Sequence, residues 1–224
     1  MQRIEIPEDY DARLTEGRRA AASLPAGPVR DAVERALDQA PTRERFEQAE
    51  ALAAEAAELT EDLQSAEFDG TDADRVAWLR IDLTGRLRSL ALSPTIDRLS
   101  NRAVAEAIEA AWTAAEAARS ERVLDLEKRH PAILAARVPD PRGDEIRDLI
   151  ARSSHERFEH MTEDELCAAE VDLEGRLTGF RFLVPNATLD TECEALAALA
   201  AATVQAAQGK AGERLSALLE RYFA

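Results

Sequence analysis

Apolar and polar residues alternate from Arg75 to Asp82. Val76, Trp78 and Arg80 fall on one side and Ala77, Leu79 and Ile81 on the other, the period of a half-buried strand. Asp82-Leu83-Thr84-Gly85 follows, and a type I turn favours Asp at its first position and Gly at its fourth. Arg86–Leu92 is then the partner strand, ended by Pro94. The chain writes this unit twice. Val171-Asp172-Leu173-Glu174-Gly175-Arg176-Leu177 lies 90 positions beyond Ile81-Asp82-Leu83-Thr84-Gly85-Arg86-Leu87, with Glu165–Val171 leading in and Arg176–Val184 leading out. Phe158 stands where Phe68 does and Leu189 where Leu99 does, with no gap between segments 68–117 and 158–207. The pattern predicts two β-hairpins, one per repeat, with a further edge strand over Leu63–Phe68.

Around the hairpins the period becomes helical. Thr42 can cap a helix to about Gln64, with Leu52, Ala56, Leu59 and Leu63 on one face. A second helix starts at Leu99-Ser100 and runs to about Arg129, because Pro131 cannot continue it. Its apolar face is Val104, Ile108, Ala111 and Ala115, with Trp112 beside them. In the second copy Asp144–Ser153 is the shorter first helix. Thr191-Glu192-Cys193-Glu194 is a capping box opening the last one, lined by Leu196, Leu199, Thr203 and Ala207. Gly209 and Gly212 should weaken that helix before Leu215–Phe223 resumes it. Ahead of both repeats, Pro7–Ser23 and Val29–Gln39 read as a helical hairpin with a seam of Tyr10, Leu14, Val33 and Leu37; a recruiting arm is the other reading. Pro139-Asp140-Pro141-Arg142-Gly143 is the strongest linker signal.

The expected architecture is therefore α+β: a helical extension over 1–41, a first α-β-β(-β)-α unit over 42–138 and a second over 139–224. At 224 residues and 46 % hydrophobic but only 4 % aromatic, each unit can bury a modest core of Ala, Leu, Ile and Val. Two cysteines, Cys167 and Cys193, make no disulfide framework and no CxxC pair, and are expected reduced and buried. The acidic N-terminus carries no apolar run of a signal peptide, and Ala195–Ala202 is too short to span a bilayer. A cytoplasmic protein, outside any membrane, is expected.

An apolar strand, Asp-x-x-Gly-Arg-Leu, a second apolar strand, a proline and an Ala-rich helix resemble the YbaB/EbfC family of bacterial nucleoid-associated proteins. The match runs from about Glu44 to Arg129 and centres on Val76 to Pro94, followed by Leu99 and Ala105–Ala111. The second copy keeps Asp172, Gly175, Arg176, Leu177 and Pro185. The resemblance implies two tandem YbaB-like units whose antiparallel sheets form a pseudo-dimer inside one chain, where relatives are homodimers; exchange between chains and a further homodimer are the other arrangements. It also implies DNA binding and nucleoid localisation. Relatives in actinobacteria accompany type VII secretion loci, which makes an acidic protein-interaction or scaffold role the alternative. A strong arginine bias suits a GC-rich actinobacterial source: of 28 basic residues only Lys128 and Lys210 are lysine.

Charge qualifies the DNA expectation. At −16 the chain lacks the global positive field that supplies most affinity for phosphate, so double-stranded DNA is disfavoured as a partner and a protein partner is plausible. Arg75, Arg80, Arg86, Arg88, Arg98 and Arg102 form the one concentrated basic segment. They could contact backbone phosphates, or pair with the carboxylates around them. In the second copy Arg75, Arg80 and Arg88 become Glu165, Glu170 and Thr178. Arg122, Lys128, Arg129 and His130 suit the last turns of a helix through its dipole; a phosphate-contacting tip is the sharper reading. Asp82, Gly85, Asp172 and Gly175 are turn residues. His155 and His160 lie five apart on or near a strand, which puts their imidazoles on opposite faces, so a metal shared with Cys167 is not expected. No P-loop, GxGxxG, GxSxG or HExxH is present, so neither an enzyme nor a cofactor or metal is expected.

Overall fold

The computed structural model describes residues 7–131 and 141–223. The chain divides into two compact units, residues 1–61 and 62–224, so the division falls inside a helix rather than near residue 41. The boundary expected at 138/139 lies outside the described residues. Seven α-helices and two separate three-stranded antiparallel sheets make up the described residues, an α+β fold.

The first unit is helical: α1 (Tyr10–Ala22), α2 (Pro28–Gln39) and most of α3 (Arg43–Ser65). Pro28 opens α2 at the position where its missing N–H costs nothing, and Thr42 Oγ1 accepts from the Arg45 N–H at 3.3 Å. Tyr10 meets Phe46 edge-on with ring centres 5.5 Å apart, and its hydroxyl donates to the Pro41 carbonyl at 2.8 Å. Of the predicted seam, Val33 is exposed, whereas Leu37 packs beside Gly17.

The second unit holds both sheets. The first comprises β1 (Glu67–Thr71), β2 (Ala77–Asp82) and β3 (Leu87–Leu92); a 3-10 turn, Ile96–Arg98, leads into α4 (Asn101–Arg129). After α5 (Pro141–Arg152) the second sheet follows as β4 (Arg157–Met161), β5 (Cys167–Asp172) and β6 (Leu177–Phe182), then short α6 (Ala187–Asp190) and long α7 (Cys193–Phe223). Every strand of the second sheet begins and ends 90 positions after its counterpart. The register slips recur at Arg80/Ile81 and Glu170/Val171, and the positive-φ residues recur as Arg75 with Glu165 and Gly85 with Gly175. The two halves share one strand plan down to its irregularities.

Several expectations shift. Helix α3 runs to Ser65, so the edge strand is Glu67–Thr71 rather than Leu63–Phe68. Pro141-Arg142-Gly143 opens α5 instead of acting as linker; Pro139 and Asp140 lie outside the described residues. Leu189 is exposed, unlike half-buried Leu99, and Cys193 is only half-buried.

Helix α7 passes through Gly209 and Gly212 without interruption, because burial of Leu196, Ala200, Val204, Ala207 and Ala211 carries it. Tertiary packing overrides the local propensity there. Nothing stands within 4 Å of a methyl added at Gly209. Gly209→Ala should therefore raise stability by about 0.5–1 kcal/mol in a urea titration, since only the unfolded chain loses freedom.

The predicted faces hold within β2, whereas Val76, placed with Trp78 and Arg80, precedes the strand and packs against the core. Ala77, Leu79 and Ile81 are buried and Trp78 and Arg80 exposed. The core joins these to Val104, Ile108, Ala111, Trp112 and Ala115 of α4, and to Val171, Leu196, Ala200 and Val204 of the other half. Helix α4 covers its own sheet and reaches β6, while α7 covers its own sheet and reaches β3.

Candidate functional site

The two Asp-x-x-Gly turns fold as expected. Gly85 N–H donates to the Asp82 carbonyl at 2.9 Å and Gly175 N–H to the Asp172 carbonyl at 3.0 Å. The glycines sit at φ 79° and 81°, where a side chain would be strained. Asp82 Oδ1 accepts from Thr84 N–H, the Thr84 hydroxyl and Arg86 N–H at 2.8, 2.6 and 3.0 Å. Asp172 Oδ1 accepts from Glu174 and Arg176 N–H, each at 2.9 Å.

Where the turns meet, one side chain from α7 joins them. Gln208 Nε2 donates to the Gly85 carbonyl at 2.9 Å and the Gly175 carbonyl at 2.8 Å, and its Oε1 accepts from Leu87 N–H at 3.1 Å. Gln205 Nε2 adds a bond to the Leu87 carbonyl at 3.1 Å, and the Cys193 thiol reaches the Leu92 and Ser93 carbonyls at 3.3 Å. The other half reciprocates. Glu109 of α4 accepts from Phe180 N–H at 2.7 Å, and Asn101 Nδ2 donates to the Val184 carbonyl at 2.8 Å. An outer strand exposes a row of unpaired peptide groups; on β3 and β6 long helices of the opposite half supply the partners. Sequence reasoning missed Gln208, Gln205, Glu109 and Asn101. The one signal was the pair of glutamines, Gln205 and Gln208, among the Val and Ala positions of α7.

The six arginines do not converge. Arg86 and Arg88 sit at the turn end of the first hairpin and Arg80 on its outer face, while Arg75, Arg98 and Arg102 lie at or beyond the opposite end. Five residue steps along β2 separate those ends by roughly 17 Å. Arg80 is bidentate to Asp69 at 2.6 and 3.1 Å and reaches Glu67 at 3.2 Å. Arg88 pairs with Asp82 at 2.8 Å and Arg102 with Glu106 at 2.7 Å. Arg75, Arg86 and Arg98 make no ion pair among the described residues. At the end of α4, Arg122 and Arg129 both pair with Asp125, at 3.4 and 2.8 Å, which favours the structural reading of that cluster.

The Arg80 hydrogen bond holds the Asp69 carboxyl below the usual aspartate range. At Asp82 burial pushes the carboxyl up, but the Thr84 hydroxyl, the Arg86 and Thr84 N–H groups and the Arg88 charge together outweigh it, and the net shift is downward. A carboxyl lowered on folding contributes stability that is complete above its unfolded value, roughly 3.9, and is lost as pH falls through the folded one. Asp82→Asn should therefore lower stability by about 1–2 kcal/mol at neutral pH. It should also make the acid-side decline shallower than in the unaltered protein, read from urea midpoints down the pH scale. Asp69, Glu156 and Asp164, also lowered, retain the rest of that decline.

Burial pushes both thiols up, Cys167 and Cys193, away from nucleophilic thiolate. Among the described residues no cluster of His, Cys, Asp and Glu could hold a metal ion, and no helix is long and apolar enough to cross a membrane. The hollows are open and shallow. One of ≈ 480 Å³ lies over the outer face of the first sheet, around Trp78, and one of ≈ 450 Å³ at the paired turns, beside Arg86 and Arg88.

No family model, no curated protein and no solved structure matches the chain.

Proposed function

We propose that the chain is a non-enzymatic binding protein, an intrachain counterpart of a YbaB/EbfC-type dimer, and that it engages a protein rather than DNA. The arrangement of halves supports the first part: each long helix serves its own sheet and the outer strand of the other, as two subunits of an interlocked dimer would. The observation carrying the second is the disposition of the basic segment. Three of its six arginines are spent on carboxylates and the set is divided between both ends and the outer face of one hairpin. Phosphate binding rewards a contiguous run of uncommitted cations, and the remaining charge of the chain opposes it.

A second reading, duplex binding of the nucleoid-associated kind, draws on Arg75, Arg86 and Arg98, whose guanidinium groups are uncommitted among the described residues. A duplex titration at low and moderate salt separates the two. The protein-binding reading expects no saturable association at either salt. Binding that weakens steeply with salt and falls in an Arg75→Ala/Arg86→Ala/Arg98→Ala variant would replace it with the second.

A further inference from the structure

The outer faces of the two sheets have diverged in one respect that concerns binding. In the second sheet the centre of the outer face is Ala168, flanked across the strands by Met161 and Arg181, and it is 0 % exposed. Arg181 also pairs with Glu159 on the same face. In the first sheet the corresponding centre is Trp78, flanked by Thr71 and Ala91, and it is 39 % exposed. Small neighbours leave the indole standing in the ≈ 480 Å³ hollow lined by Asp69, Gly70, Thr71, Arg80, Ser89 and Ala91. The nearest cation on that face, Arg80, is turned to Asp69 and Glu67.

We propose that the outer face of the first sheet docks a basic segment of a partner protein, with an arginine or lysine stacked on Trp78. The inference rests on the protein-binding reading above. Tryptophan offers the strongest aromatic face for a cation and is enriched among residues that dominate interface energies. Charge selects the partner's sign. On the face itself the carboxylates of Glu67 and Asp69 outnumber the one guanidinium of Arg80, and the whole molecule stands at −16. That field steers a cationic segment toward the face and repels an acidic one. Asp69, which lines the hollow, stays largely exposed while it holds Arg80, and gives the stacked cation an anionic neighbour.

The test uses the full chain carrying Trp112→Phe, so that Trp78 alone reports fluorescence. The probe is an acetylated, amidated Gly/Ser peptide with two arginines, alongside the same peptide with citrulline, the uncharged isostere, in their place. Saturable quenching or shift of the Trp78 emission by the arginine peptide, at least about fivefold weaker with citrulline, is expected. Trp78→Thr in the otherwise unaltered chain should weaken binding by about the same factor, measured by peptide anisotropy, while Trp78→Phe retains most of it. Thr keeps the strand propensity at an exposed site, so circular dichroism should be unchanged. No saturable response to the arginine peptide, or equal affinity in Trp78→Thr, overturns the proposal. So does concentration-dependent self-association abolished by Trp78→Thr, which would assign the face to a second copy of the chain. Salt-dependent duplex binding accompanied by an unaltered response to the arginine peptide would overturn the broader reading and leave this surface standing.

Discussion

Gly70→Ala is expected to destabilise the second unit by at least about 3 kcal/mol, and to leave much of the chain unfolded at growth temperature. Gly70 lies on the inward face of β1, paired with Leu79, where α4 crosses directly over it. A methyl group there would overlap the carbonyl oxygen of Ala111 and stand 2.5 Å from the backbone nitrogen and 2.8 Å from the Cβ of Ala115. Those first two contacts are main chain of a helix, which cannot rotate aside as a flexible side chain would. Relief requires α4 to lift from the sheet, and Val104, Ile108 and Trp112 leave the core with it. Urea unfolding followed by circular dichroism reads the loss; a midpoint within a few tenths of the unaltered protein's would show that α4 is free to shift. The sister position in the second half carries a side chain. There His160 pairs with Ala169, so the large and small members of the pair have changed strands.

Much of the strand plan was legible because it is local. Alternation over residues 75–82, Asp and Gly at turn spacing and a repeat of fixed displacement each act within a few residues, and the structure places these strands within one or two positions of expectation. Strand β1 was less legible. Asp69, Gly70 and Thr71 have little intrinsic strand preference beyond Thr, and pairing with β2 under α4 holds them extended. Gly209 and Gly212 misled in the opposite sense, because helix propensity is worth less than the burial on either side. The basic segment was visible as composition, but its commitments were not. That Arg80 faces Asp69 follows from the β1–β2 register, which aligns residues eleven apart in sequence. The contacts between halves were least legible, since Gln208 and Leu87 are separated by 121 positions and nothing near either one encodes the other.

Gln208→Leu is expected to cost about 3 kcal/mol or more, the second large effect, for a reason that contacts of similar size elsewhere do not share. Gln208 is 7 % exposed, and three main-chain groups depend on it: the carbonyls of Gly85 and Gly175 and the N–H of Leu87. Leucine fills similar volume but leaves all three without that partner away from water, at about 1–3 kcal/mol each where no relaxation or water compensates. Two of the groups belong to the first half and one to the second, so the loss should loosen both turns together. Hydrogen exchange of the Leu87 amide should accelerate most, as its acceptor is gone. Gln208→Glu separates lost bonding from altered shape. Its ionised carboxylate can still accept from Leu87 but faces two carbonyl oxygens that need donors, so at neutral pH it should be at least as damaging as leucine. Protonation restores one O–H donor, and the variant's deficit relative to the unaltered protein should shrink as pH falls, the same direction as for Asp82→Asn but from a carboxyl gained rather than lost. A deficit independent of pH would mean that volume, rather than the bridge between the turns, is what Gln208 supplies.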